Sequence, residues 1–292
     1  MPIGEEYLLL ALILCILIGL LCTMVGLGGG ILIIPFSIFL LGFSPKEAIV
    51  LSLFSMTGST ISASIRYMKM KLVNYRLAML YNTWDIPGVI VGAILTIYLA
   101  NNFIAGMCGC VIIVLAILIF RKNVNNNNIK TQFASKNIPN EDKDEGSPEL
   151  NENNSDSPEF ESKFGVDNIY IASLSSFSGG LITGLVGLGG GTADTTSMIL
   201  LGLDPKTAAG TSEFAMATTV FFGVIVHFII GTYQSSWLWP IFMVIGTIIG
   251  AQIGPPLNSR VNNNVLRKIL SVVAFYTGIL MLLIMFGIGW TV

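Results

Sequence analysis

Ten apolar segments, at residues 7–25, 31–42, 46–65, 77–99, 103–120, 168–186, 191–202, 206–230, 238–257 and 266–289, limit what this chain can fold into. Nearly uncharged stretches of about 18 residues or more are long enough to cross the hydrocarbon of a bilayer as helices. Only 11% of the residues are charged and 53% are hydrophobic, whereas a soluble protein carries roughly 25% charged residues. The expectation is an all-α polytopic membrane protein with about 8–10 membrane segments. Ten of the 17 acidic residues fall between Glu141 and Asp167, inside a polar tract rich in asparagine, serine and proline. That tract has too little apolar content to offset its chain entropy and reads as a disordered linker.

The flanks of the linker repeat one another. "MVGLGGGILIIP" (24–35) returns as "LVGLGGGTADTT" (185–196), "LLGFSPKEA" (40–48) as "LLGLDPKTA" (200–208), and "PGVIVGA" (87–93) as "IGTIIGA" (245–251). Self-similarity of this kind marks a duplicated unit. The chain therefore divides into a first transmembrane repeat (1–122), an acidic, Asn-rich linker (123–165) and a second transmembrane repeat (166–292). The N-terminal "MPIGEEYLLLALIL" lacks the basic region of a signal peptide, so the first apolar segment is expected to stay as a span.

Lysine and arginine collect on the cytoplasmic side of membrane proteins. The 66–76 loop holds Arg66, Lys69, Lys71 and Arg76, while its counterpart 230–237 holds none. Arg121 and Lys122 put the linker inside, and Arg260, Arg267 and Lys268 do the same for the 258–268 loop. Equivalent loops then face opposite sides, which predicts inverted repeats with both termini outside. Spanning or re-entrant geometry for 31–42 and 191–202 stays open.

The glycines need a reason, because each is a poor helix former. Both short segments begin directly after a glycine loop, so each repeat holds a broken helix and a half-helix. A helix that starts at membrane depth presents unpaired N–H groups and the positive end of its dipole. Two such starts could hold an anion without a lysine or arginine. The plain reading is that the glycines allow close helix packing, as Gly88/Gly92 and Gly246/Gly250/Gly254 do; the pairing with short segments favours binding.

Polar residues inside apolar segments add a second set of candidates. Ser52, Ser55, Ser59 and Ser62 follow one helical stripe that ends at Arg66. It either lines a path or bonds neighbouring carbonyls. Asp85, Asp194, Glu213 and His227 are ionisable groups within the bilayer, which usually have a task. Acids beside an anion site suggest proton coupling, with Asp194 or Glu213 as carrier; alternatively Asp194 caps a helix and His227 is an ordinary hydrogen-bonded residue. Cys15, Cys22, Cys108 and Cys110 lack metal-ligand spacing, so neither a metal nor a disulfide framework is expected. No cofactor and no nucleic acid is implied by a net charge of −2 without a basic run.

"VGLGGGILIIP", "VGLGGGTADTT", "GTSEFAMATT" and "GTIIGAQIG" together resemble the TauE/SafE sulfite exporter family, also called toluene-sulfonate uptake permeases. The resemblance covers both repeats. It implies a secondary transporter in the plasma membrane for sulfite, sulfonates or related small organosulfur anions, and no enzymatic activity. Carried over by position, the substrate region would be Gly28, Gly29, Gly30, Gly189, Gly190 and Gly191, with Thr192, Ser55, Ser59 and Ser212 on the hydroxyl face that follows. The expected partners are a small sulfur-containing anion and the bilayer, with a homo-oligomer also open. The second motif departs from the first, with Asp194–Thr196 where the first has Ile33–Pro35. A passive anion channel of the same fold is the alternative reading, and an intramembrane hydrolase using Asp85, Asp194, Ser212 and His227 is a weaker one.

Overall fold

A computed structural model describes residues 7–25, 28–136, 166–257 and 263–286. Its described residues form ten helices: α1 (Leu8–Val25), α2 (Gly30–Phe39), α3 (Pro45–Lys69), α4 (Tyr75–Tyr98), α5 (Asn101–Lys136), α6 (Val166–Val186), α7 (Gly191–Leu200), α8 (Pro205–Ile230), α9 (Leu238–Leu257) and α10 (Asn263–Met285). Four of them, α3, α4, α5 and α8, contain stretches long and apolar enough to cross a membrane. The family of apolar segments is thus helical throughout the described residues, without a strand among them.

Local chemistry sets the boundaries. Ser44 and Glu47 form a reciprocal capping box at the start of α3, followed by Pro45 at its first position, where a missing N–H costs nothing. Asn74 accepts from the Leu77 amide to start α4, and Asp204 accepts from the Lys206 amide ahead of Pro205 to start α8. The helix α5 runs through to Lys136, so residues 123–136 extend it into the tract read as linker. The first proline after Arg121 is Pro139, and no earlier residue forbids a helix. The remainder of that tract, 137–165, lies outside the described residues, as do Gly26, Arg260 and both chain ends.

Helix order is reciprocal between the halves. α1 lies along α9 and α4 lies along α6, α3 packs on α8, and α5 packs on α10. The α1–α9 and α4–α6 pairs run parallel at backbone contact. A Cβ on Gly246 would lie 2.7 Å from the Leu12 carbonyl oxygen, and one on Gly88 only 2.9 Å from the Leu181 nitrogen. Small residues let helices approach this closely. α5 and α10 run antiparallel, with Gly109 against Gly278 and Gly106 against Met285.

These directions place the connections at two ends of the bundle. At one end Ser235 donates to Glu47 over 2.6 Å and Lys46 donates to the Ile97 carbonyl over 3.3 Å, so the 40–44, 99–100 and 231–237 connections gather there with the start of α1 and the close of α10. At the other end the Asn74 amide donates to Thr211 over 3.0 Å, which joins the 70–74 connection to the start of α8. The close of α9 and the starts of α6 and α10 belong to that end as well. α1 therefore leaves the first end and α2 returns to it, while α6 and α7 do the same from the other. Neither half-helix spans.

The surface inverts that of a soluble protein. Leu9, Leu174, Phe228, Ile229 and Val272 stand exposed on the outside, while Ser52, Ser55, Ser59, Asp85, Asp194 and Glu213 are buried. Extensive exposed apolar surface belongs against lipid. Replacing Gly184 by valine drives a side chain into the Val89 carbonyl and the Ala93 amide at the α4–α6 crossing. The expected cost is about 1–3 kcal/mol, read as a lowered unfolding temperature of the detergent-solubilised protein.

Candidate functional site

The two glycine loops meet in the middle of the bundle. Gly28 (φ +65°) and Gly29 (φ +109°) adopt left-handed backbone before α2, and Gly187 (φ +71°) and Gly189 (φ +77°) do so before α7. Side-chain-bearing residues rarely adopt such angles, which answers why glycine recurs here. A Cβ on Gly30 would lie 2.7 Å from the Gly187 carbonyl oxygen, so the loops touch backbone to backbone. Neither half-helix start has a side-chain cap: Gly29 and Gly190 occupy the capping positions. The positive ends of α2 and α7 therefore both border this loop contact.

Two methionines fill the space between them. A Cβ on Gly28 would meet Met56 Cε at 2.7 Å and Met216 Cε at 2.8 Å; Gly189 faces the same pair, and Gly191 faces Met216. Met56 on α3 and Met216 on α8 follow Pro45 and Pro205 by the same interval, a signal that aligning the repeats beyond the glycines would have found. Thioether side chains are flexible and polarisable, so this closure is made of the most movable apolar groups available.

Hydroxyls from α3 and α8 hold the loops in shape. Ser52 donates to the Gly187 carbonyl (2.8 Å), Ser59 to Gly28 (2.7 Å) and Ser212 to Gly191 (3.0 Å). Thr195 also donates to Gly191, over 2.6 Å. Ser62 instead bonds the Ile248 carbonyl at 3.2 Å, and Ser55 bonds Leu51 of its own helix at 2.8 Å. The serine stripe thus contacts carbonyls along its length, and Ser55 stands off the loops. Thr192 occupies the second position of α7.

The acids separate into two places. Asp85 of α4 and Asp194 of α7, each 1% exposed, are near enough to interact electrostatically. Thr219 donates to Asp85 Oδ2 over 3.3 Å, while Oδ1 of both aspartates has no hydrogen-bond partner. Ser197 donates to the Asp194 carbonyl (2.9 Å) and pairs with the Tyr81 hydroxyl (2.6 Å) beside them. Glu213 of α8 is apart, fully buried beside the Gly28 amide and without a hydrogen bond to either carboxyl oxygen. His227 belongs to neither group: Nε2 lies 2.9 Å from the Gly184 carbonyl and Nδ1 3.2 Å from Thr232. It ties α8 to α6.

A model of the family Sulfite exporter TauE/SafE matches residues 11–281, which takes in both loops and every helix that holds them. The chain belongs to this family. It is also 25% identical over 280 residues to the Bacillus subtilis (strain 168) protein named "Probable membrane transporter protein YunE", a match that covers 91% of this chain and 94% of that one. No solved structure matches it. A membrane transporter of the sulfite exporter type, acting on a small anion, is accordingly the setting for the glycine loops.

Truncating Ser52 or Ser59 to alanine leaves a loop carbonyl of this transporter buried without its donor. Each change is expected to cost about 1–3 kcal/mol. Thermal unfolding in detergent reads the loss, and amide hydrogen exchange should rise in 28–31 for Ser59→Ala but in 187–191 for Ser52→Ala.

Proposed function

We propose that this protein is a secondary transporter that exports sulfite, a sulfonate or a related small organosulfur anion, coupled to protons, by alternating access around the paired glycine loops. The observation that carries this reading is the meeting of the two glycine loops, Gly30 against the Gly187 carbonyl, beside two half-helix starts that have no side-chain cap. Backbone amides aimed from two helix dipoles suit an anion and need no basic side chain. Gly28, Gly29 and Gly30 with Gly189, Gly190, Gly191 and Thr192 would supply the amides. Ser59 and Ser212 would fix the loop shape, and Met56 and Met216 would withdraw to admit the solute.

The halves, 1–122 and 166–292, are read as inverted repeats. In support, α1 with α2 and α6 with α7 form hairpins entering from opposite ends, and the cross-packing of α1 on α9 matches that of α6 on α4. Inverted repeats supply two related conformations, open to either side of a fixed site. The end that carries the 66–76 loop and the linker, rich in lysine and arginine where it meets the membrane, is assigned to the cytoplasm, with both termini outside at the plasma membrane. Protons would be carried by Glu213 or by the Asp85–Asp194 pair, since buried carboxyls inside a membrane mark such relays. His227, bound to Gly184 and Thr232, is given a packing role. No catalytic role is assigned: the Ser212 hydroxyl is engaged by Gly191 and His227 by Gly184.

Proteoliposome flux of labelled sulfite, sulfonates and thiosulfate tests this. Accumulation driven by a pH gradient is expected. Flux that only equalises concentrations would make the protein a channel, and no movement of any of these anions would reject the reading. Gly191→Leu should abolish flux in a folded protein, because Gly191 is helical and an added side chain meets the flexible Met216 and the Ser212 hydroxyl, with no backbone atom nearer. Deleting residues 137–160 should leave flux unchanged.

A further inference from the structure

Glu213 has no counterpart in the first repeat: the matching position on α3, counted from Pro45 as Glu213 is from Pro205, is Leu53. The long central helices therefore place a carboxyl against the Gly28 loop from α8 with no matching carboxyl on α3. It is fully buried, both of its oxygens lack a hydrogen-bond partner, and it lies beside the Gly28 amide just ahead of α2. Those are the surroundings in which an anionic solute would be held. We propose that Glu213 is a tethered competitor for the anion site at the start of α2, displaced by substrate only when it takes up a proton.

This rests on the anion-site reading above and assigns the coupling within it. An ionised Glu213 and a bound anion would put two negative charges against the same amides in a low-dielectric interior, which Coulomb repulsion forbids. When a proton from the aqueous side neutralises the carboxyl, the amides become free for the substrate. When the substrate leaves, the carboxyl loses its proton and returns to them. One proton therefore accompanies one anion, and outward movement takes place where the outward anion gradient exceeds any inward proton gradient. The titratable side chains that face Glu213 are Cys22 from α1 and Tyr67 from α3. Residues Gly30–Phe39 of α2 include no titratable side chain. Among the described residues, none of those facing side chains is positively charged. The Asp85–Asp194 pair lies on the other side of the loops, against α6, and takes no part in this competition.

The test uses the purified full chain and anions whose own charge does not change with pH: toluenesulfonate, methanesulfonate and thiosulfate. Their dissociation constants are measured by titration calorimetry from about pH 5 to about pH 9 for the native protein and for Glu213→Gln and Glu213→Ala. Monodisperse elution serves as the check on folding. The native protein should bind about ten-fold more tightly for each unit of pH lowered, over the range in which free Glu213 is ionised. Glu213→Gln should bind with little dependence on pH, near the tightest native affinity. Binding by Glu213→Gln or Glu213→Ala with the native pH slope would overturn the inference while leaving the anion site standing. A native protein that binds without any slope would overturn it too. Absence of binding by all three proteins at every pH would remove the anion site itself and the inference with it.

Discussion

Backbone that is not helical can exist at membrane depth only if its polar groups find partners inside the protein. Everything in the centre of this molecule follows from that demand. Breaking α1 from α2 and α6 from α7 exposes carbonyls on one side of each break and amides on the other. The Gly187 and Gly28 carbonyls are met by Ser52 and Ser59 from the long central helix α3. The amides at the half-helix starts receive no side-chain cap. A fold that satisfies its acceptors and leaves its donors uncapped suits the anion site proposed for these loops.

The packing around the breaks serves the same end. Glycine at the α1–α9 and α4–α6 crossings brings those helices to backbone contact, which gives the loops rigid walls. Lipid offers no hydrophobic drive to hold helices together, so close van der Waals contact is what stabilises the pairs. Against those walls the closure itself is soft, made of Met56 and Met216. Rigid pairs around a movable plug are suited to a protein that must open a path without losing its shape.

The two halves are alike in backbone and unlike in charge. Asp194 stands where the first repeat has Ile33, and Glu213 where it has Leu53. Both acids lie in the second repeat, yet packing sends them to different loops: Asp194 stays with its own half-helix beside Asp85, and Glu213 reaches across to Gly28. The two proposed repeats thus differ in charge at matching positions.

By itself, the sequence determined the helical membrane class, the boundaries of nearly every helix and the doubling of the glycine loops. Those properties are local: hydropathy, caps such as Ser44 and Asn74, and residues that tolerate left-handed backbone all act within a few positions. Tertiary structure alone decided which polar groups meet. Spacing put Ser52, Ser55, Ser59 and Ser62 on one stripe, but only packing separated Ser59, which clamps Gly28, from Ser55, which bonds its own helix. Asp85 and Asp194 are more than a hundred positions apart and meet because α4 and α7 both pack against α6. Met56 and Met216 look like ordinary core residues until the two halves are aligned from Pro45 and Pro205, and even then only packing shows that they meet between the loops. Contacts between distant segments depend on crossing geometry, and crossing geometry is a property of helix pairs that no single segment contains.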